Sequence, residues 1–261
     1  MIRVVKIGGR AQGDARLPAE LAAAAAHVTD GATDGAAELC VVHGGGDEVS
    51  ALQRRLGLEP KFHGGRRVTS AEDLEIVRMV LSGTTNKRLT AQLLSAGVNA
   101  VGISGEDSGL FLARATDAAT MGRVGGHVVV HPRLIHLLLS GGFVPVVSPL
   151  ARDAEDAQGS GLNVNGDDAA AALAAALGAH ELVFVADVPG VLDSGNVIPL
   201  LDEAGVTALT TSGVAAGGMA AKLDAALAAL RGGVASVRVA GLAGIADANA
   251  GTRIVLHSSH A

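Results

Sequence analysis

The chain has 261 residues, 49% of them hydrophobic, with a formal net charge of −6 and a single cysteine. That length supports one large domain or two modest lobes with a buried core. The acidic balance and the lack of a Lys/Arg block argue against a nucleic-acid surface, and one cysteine cannot close an internal disulfide. Mean hydropathy is positive, yet the longest apolar tract, residues 169–177, is mostly alanine and too short for the ~20 residues of a membrane span. The first residues, MIRVVKIGG, run straight into a strand pattern without the apolar stretch of a signal peptide. A soluble cytoplasmic protein is therefore expected.

In chain order, short valine-rich runs at residues 3–7, 39–42, 99–103, 143–148, 182–186 and 237–240 read as strands. They are apolar on both faces, as strands of a covered parallel sheet are. Helical patterns lie between them at residues 18–28, 47–56, 71–95, 131–139, 167–177 and 219–230, the longest opening with a Ser70/Asp73 capping box. Strand and helix in alternation predict an α/β sandwich. Residues 60–68 and 110–130 have a different texture, glycines among alternating residues, and predict β-hairpins at the sheet edge. A seam is expected near residues 148–161, which divides an N-terminal lobe, 1–150, from a C-terminal lobe, 151–261, within one domain. Cys40 falls inside an apolar run and reads as a buried thiol.

Glycine turns follow several strands: Gly8 and Gly9, Gly44 to Gly46, Gly102 with Gly105, and Gly213 with Gly217 and Gly218. The sequence HGGG at residues 43–46 suits an esterase oxyanion hole, but no serine here has the G-x-S-x-G flanks of a nucleophile elbow. It suits a dinucleotide fold no better, because Val49 stands where the last glycine of G-x-G-x-x-G belongs, and without a Gly-Lys pair a P-loop is excluded. What remains is a rim of glycine turns at the carboxyl ends of parallel strands, where anionic ligands bind. Only four of the 20 basic residues are lysines: Lys6, Lys61, Lys87 and Lys222. A chain that otherwise writes arginine points, weakly, to sites that need a compact ammonium. The nine histidines form no metal-ligand pattern, and His43 beside the glycines is the one expected to make a structural hydrogen bond near a site.

Six motifs then occur in order: VVKIGG, VVHGGG, GGRRVT, LNVNGDDAAAALA, ADVPGVLD and GGMAAKLDAA. In order and spacing they resemble the amino acid kinase superfamily and, within it, the acetylglutamate kinases, over residues 3–253. The resemblance implies a three-layer αβα sandwich with an open, mostly parallel eight-stranded sheet. It also implies a homodimer, an amino-acid acceptor over the N-terminal half and ATP over the C-terminal half. By the same resemblance Lys6 and Lys222 stabilise the transition state and Asp167 organises both, while Asp168 faces solvent. Gly44, Gly45, Arg67 and Asn163 hold the acceptor; alternation in the hairpin sends Arg66 away from it. Gly8, Gly9 and the loop Asp187, Val188, Pro189, Gly190, Val191 and Leu192 meet the nucleotide, with Val214, Ala215 and Ala216 as a second wall. ATP implies Mg²⁺ held by phosphate oxygens and water, with no protein ligand named.

The chemistry fits these residue types. A side-chain carboxylate with a reference pKa of about 4.3 is already ionised at neutral pH, so its phosphorylation requires no general base. Two anions must instead be brought together, which calls for positive charge and oriented N–H donors. Lys61 and Lys87 match no role and read as surface charges. Two departures from the family are visible: Gly166 in place of a common alanine, and SGEDSGLF in place of S-G-K-D-G. The chain also opens at its first strand, without the N-terminal helix of arginine-inhibited hexamers, so a dimer insensitive to arginine is expected. The alternatives are a sister kinase of lysine biosynthesis, acting on acetylaminoadipate or carrier-bound aminoadipate, and a non-catalytic amino-acid sensor, which would have lost a lysine or the aspartate.

Overall fold

The computed structural model describes residues 1–26, 38–156 and 158–257. The first half runs β1 (Ile2–Ile7), α1 (Leu17–Ala26), β2 (Glu38–His43), α2 (Gly46–Arg55), a hairpin of β3 (Phe62–His63) and β4 (Arg66–Arg67), and α3 (Ala71–Arg78). A π-helical stretch, Met79–Thr85, joins α3 to α4 (Asn86–Ser95). Then come β5 (Ala100–Ser104), β6 (Phe111–Ala115), α5 (Ala118–Met121), β7 (Val124–Val130), α6 (Arg133–Ser140) and β8 (Val144–Ser148). The rest comprises β9 (Leu150–Asp153), β10 (Gly161–Val164), α7 (Gly166–Ala176), β11 (Glu181–Val185), the short strands β12 (Leu192–Asp193), β13 (Asn196–Val197) and β14 (Leu200–Leu201), α8 (Glu203–Thr211), α9 (Gly218–Arg231), β15 (Ser236–Ala240) and β16 (Thr252–Ile254). The end of the first expected helix, His27 and Val28, lies outside the described residues.

Eight strands form the central sheet in the order β14-β16-β15-β11-β1-β2-β8-β5, parallel except where β15 meets β16. Alternation along each strand feeds two cores. Val4, Cys40, Val42, Val147, Leu182 and Phe184 pack with Ala170 and Leu173 of α7 and Leu223 of α9. Val5, Val41, Val146 and Val183 pack on the other face with Leu17 and Leu21 of α1 and Leu89 and Leu93 of α4. Both faces of the sheet are covered, which is why its strands are apolar throughout. Cys40 is fully buried, and burial pushes its thiol up to about 12. The Ser70/Asp73 capping box is present at the start of α3.

Two expectations need correcting. Residues 110–130 do form an antiparallel pair, β6 with β7, but the pair closes with β9 and β10 into a separate four-stranded barrel and is not on the sheet edge. Barrel closure pairs strands from either side of residue 150. The β3–β4 hairpin likewise stands apart as a two-stranded ladder. The real edges are β5 and β14.

Candidate active site

Strand β1 lies where the chain changes direction across the sheet: β2, β8 and β5 are on one side of it, and β11, β15, β16 and β14 on the other. In an open parallel sheet this reversal leaves a crevice at the carboxyl ends of the strands. Two cavities open there. One, of about 200 Å³, is lined by Gly44, Gly45, Gly46, Arg66, Arg67, Pro149, Asn163 and Gly166 among others. The other, of about 440 Å³, is lined by Gly8, Gly9, Arg10, Gly46, Asp47, Asp187, Val188, Gly218, Met219 and Lys222 among others. Gly46 belongs to both. Across from it a Cβ on Gly9 would sit 3.9 Å from the backbone nitrogens of Gly45 and of Gly46. A larger cavity of about 1000 Å³, at the amino ends of β2, β5 and β8, contains none of the motif residues.

The side chains of Lys6, Asp167 and Lys222 meet at this junction. Alternation places Lys6 on the same face of β1 as Val4, toward α7, which Asn165 caps by accepting the N–H groups of Asp167 (2.8 Å) and Asp168 (3.3 Å). An asparagine N-cap and acidic residues in the first turn both favour a helix start, so the local sequence itself delivers Asp167 to this spot. One Asp167 oxygen is 2.7 Å from Lys6 Nζ, and the other accepts from Lys222 Nζ at 3.3 Å. Burial pushes the Lys6 ammonium below its ordinary value, Asp167 opposes that shift, and Lys222 adds to it. The arrangement is one buried carboxylate holding two ammonium groups side by side. Gly166 explains itself here: a Cβ would lie 3.3 Å from Lys6 Cε, so its absence leaves room for the lysine chain.

In the cavity of about 200 Å³, Arg67 lies over the Phe62 ring at 4.9 Å and donates Nη2–H bonds to the Gly46 carbonyl and to Ser50 Oγ, each at 2.7 Å, and an Nη1–H bond to Gln53. Of the five guanidinium donors, the two left over do not share an edge, so a two-pronged grip on a carboxylate requires Arg67 to release the Gly46 carbonyl or Ser50. Asn163 donates to Thr69 Oγ1 at 3.0 Å, which leaves its amide oxygen as an acceptor. Arg66 pairs with Asp168 at 2.9 Å. Asp168 thus does not simply face solvent: it is partly buried and ion-paired, and burial raises its carboxyl above the usual range while Arg66 opposes the shift.

In the cavity of about 440 Å³, Gly8, Gly9, Asp187 and Val188 are wall, and Asp187 lies 3.6 Å from Arg10. Pro189 and Leu192 flank the buried pair Gly190 and Val191; the Val191 N–H donates to Thr252 Oγ1 at 2.8 Å, and a Cβ on Gly190 would strike that same oxygen at 2.8 Å. Val191 and Ala215 are core residues, whereas Val214 and Ala216 are exposed. Lys61 and Lys87 are exposed, and Lys87 bonds the Gly102 carbonyl at 2.7 Å. His43 makes the expected structural hydrogen bond, to the Gly44 carbonyl at 2.9 Å. Sequence reasoning missed Ser50, Gln53 and Gln12; of the residues that support the site, only Asn165, just ahead of a helical pattern, carried a legible signal. Among the described residues no group of three His, Cys, Asp or Glu side chains could hold a metal ion.

The model of the amino acid kinase family matches residues 1–241. The chain belongs to the amino acid kinase family. Within that family it is 47% identical to an acetylglutamate kinase of Chloroflexus aurantiacus over 217 residues, 82% of this chain and 84% of that protein. It is 42% identical to an acetylglutamate kinase of Roseiflexus castenholzii over 246 residues, 94% of this chain and 91% of that protein. A solved structure, smu.665 from Streptococcus mutans UA159, superposes with a TM-score of 0.84 at 27% identity, covering 98% of this chain and 99% of that one.

Proposed function

We infer that this chain is an acetylglutamate kinase, which transfers the γ-phosphoryl group of ATP to the side-chain carboxylate of N-acetyl-L-glutamate in arginine biosynthesis. The observation that carries the reading is a pair of lysines bridged by Asp167 where two cavities meet, in a chain whose relatives of 41–47% identity are acetylglutamate kinases. The smaller cavity takes the acceptor, against Gly44, Gly45, Arg67 and Asn163. The cavity of about 440 Å³ takes ATP, against Gly8, Gly9, Asp187 and Val188, with Pro189 to Leu192 behind that wall and residues 214–216 beyond it. The N-terminal lobe then serves mainly the acceptor and the C-terminal lobe the nucleotide.

The acceptor carboxylate arrives ionised, so attack on the γ-phosphorus needs no proton removed. It needs repulsion between two anions offset and the equatorial phosphate oxygens stabilised as charge spreads over them. Lys6 reaches in from β1 and Lys222 from α9, each to a different oxygen of Asp167. The N–H groups of Gly9, Gly45 and Gly46 add uncharged donors that need no reorganisation during transfer. Mg²⁺ would come bound through phosphate oxygens of ATP and water.

The relatives named as acetylglutamate kinases favour the glutamate acceptor over its longer homologue. One methylene discriminates by only ~1–3 kcal/mol, so some turnover of acetylaminoadipate is expected. Hydroxamate formation with ATP and each acceptor tests the assignment: higher kcat/KM for N-acetyl-L-glutamate supports it, and preference for acetylaminoadipate or turnover of neither overturns it. We also propose a cytoplasmic homodimer, for which light scattering should give twice the 25.8 kDa chain mass.

A further inference from the structure

The acceptor edge of the site is built from glycines, and this creates a difficulty of its own. Gly45 sits at φ 154°, and a Cβ there would lie 2.7 Å from Leu81 Cδ2, so glycine suits both the backbone conformation and the close packing against Leu81. A peptide between two glycines can also flip, because neither residue resists the change in φ and ψ. A flipped Gly44–Gly45 peptide would aim its carbonyl oxygen, in place of the Gly45 N–H, at a site that must hold two anions.

Side chains with no assigned part in the reaction oppose that flip. The Gly44 carbonyl accepts two hydrogen bonds, from Gln12 Nε2 at 2.9 Å and from His43 Nδ1 at 2.9 Å. A carbonyl only accepts, so the His43 proton is on Nδ1 and its Nε2 must be an acceptor, which faces Asn86 Nδ2 at 3.0 Å. Asn86 is fully buried and also donates to the Val146 carbonyl at 2.8 Å. Gln12 lies in the short turn Arg10–Gly13 just after Gly9, so its side chain ties the nucleotide-side glycine turn to the acceptor-side one. Its other amide atom, Oε1, is buried without a partner among the described residues, and Gln12 is only 5% exposed. A side chain kept for packing alone would not carry that orphaned oxygen; leucine or methionine would fill the space more favourably. The donor toward Gly44 is what the position requires.

We propose that Gln12, with His43 held by Asn86, is a positioning residue for phosphoryl transfer, which locks the Gly44–Gly45 peptide with the Gly45 N–H turned toward the junction of the two cavities. The proposal rests on the kinase reading of the site. Two bonds to the carbonyl also polarise the peptide and strengthen the N–H as a donor.

The test compares wild type, Gln12→Met, His43→Asn and His43→Leu. Methionine keeps the length of Gln12 without a donor, and asparagine places an N–H near the position of Nδ1 where leucine has none. Gln12→Met should lower kcat for hydroxamate formation roughly tenfold, a fraction of the loss on deleting an oxyanion donor outright. Its KM values should stay within about threefold and its thermal midpoint should not fall, since the orphaned oxygen is gone. His43→Asn should keep kcat within about threefold while His43→Leu loses it. NMR relaxation dispersion at the Gly45 amide gives a second readout that does not depend on the substrate: exchange should be absent in wild type and present in Gln12→Met. Unchanged kcat together with a quiet Gly45 amide in Gln12→Met would overturn the proposal. An inactive wild type would instead count against the kinase reading, and the amide readout would still decide the clamp.

Discussion

At the scale of single residues the site depends on charge held in low dielectric. Lys6 is 6% exposed, and its ammonium persists because Asp167 is 2.7 Å away. Asp167→Asn removes the group that opposes desolvation, so the Lys6 pKa falls further below its ordinary value. The protonated amine is the working form. Activity should therefore be lost at lower pH on the alkaline side than in wild type, with kcat at neutral pH down at least about tenfold, as a pH–rate profile would record. Lys222→Arg keeps the charge but replaces a compact ammonium with a planar fork; we expect an unchanged circular dichroism spectrum and loss of most of kcat. His43 gives a stability signature. Burial depresses its imidazole to about 4, so it folds neutral, and the stability tied to it is complete above the ordinary value of 6.5 and is lost as pH falls from 6.5 toward 4. That window corresponds to about 3 kcal/mol, which His43→Asn should remove from the pH dependence of the thermal midpoint. Glu48, Lys6 and Arg88 act on the same ring, and of these Glu48 favours its charged form.

At the scale of elements, the β3–β4 hairpin and the start of α7 both border the cavity proposed for the acceptor. Arg66 and Arg67 both line the cavity, against the expectation that alternation sends Arg66 away, and Arg66 also ties the hairpin to α7 through Asp168. The Arg66–Asp168 side chains are 44% and 30% exposed, and such pairs contribute only ~0–1 kcal/mol. Steady-state kinetics should show Arg66→Ala raising KM for the acceptor no more than about fivefold, against roughly a hundredfold for Arg67→Ala, which would lose the proposed charge-assisted contact to the substrate. The six long sheet strands were legible because a strand covered on both faces is an unbroken apolar run. Strands β14 and β16, two and three residues long, leave no period to detect. The barrel was hidden for a different reason. Its strands alternate as hairpins do, and nothing local in β9 or β10 announces that they close a ring with β6 and β7. The break of the long predicted helix into a π-helical stretch, Met79–Thr85, was equally silent, although it places Leu81 against Gly45 and Thr85 beside Glu48.

At the scale of the whole molecule, the reversal of strand order at β1 explains how residues far apart in sequence become one site. Lys6 is the penultimate residue of β1 itself, the Gly44–Gly46 turn follows β2 on one side, and Asp187 follows β11 on the other. The glycine rim could be read from sequence because parallel strands share one carboxyl end. The pairing of Lys6 with Lys222 through Asp167 came from family resemblance, since no local pattern fixes which helix lies over which strand. Gln12 could be read from neither, because its role is a long-range bond to a single carbonyl. If the account is right, the acceptor carboxylate itself attacks the phosphorus. N-acetyl-L-glutamate labelled with ¹⁸O in its side-chain carboxylate, incubated with ATP, enzyme and hydroxylamine, tests this most directly. Hydroxylamine cleaves the acyl phosphate at carbon, so the released phosphate should carry one labelled oxygen per hydroxamate formed. Phosphate released without label would mean that water, not the carboxylate, received the phosphoryl group, and would contradict the account.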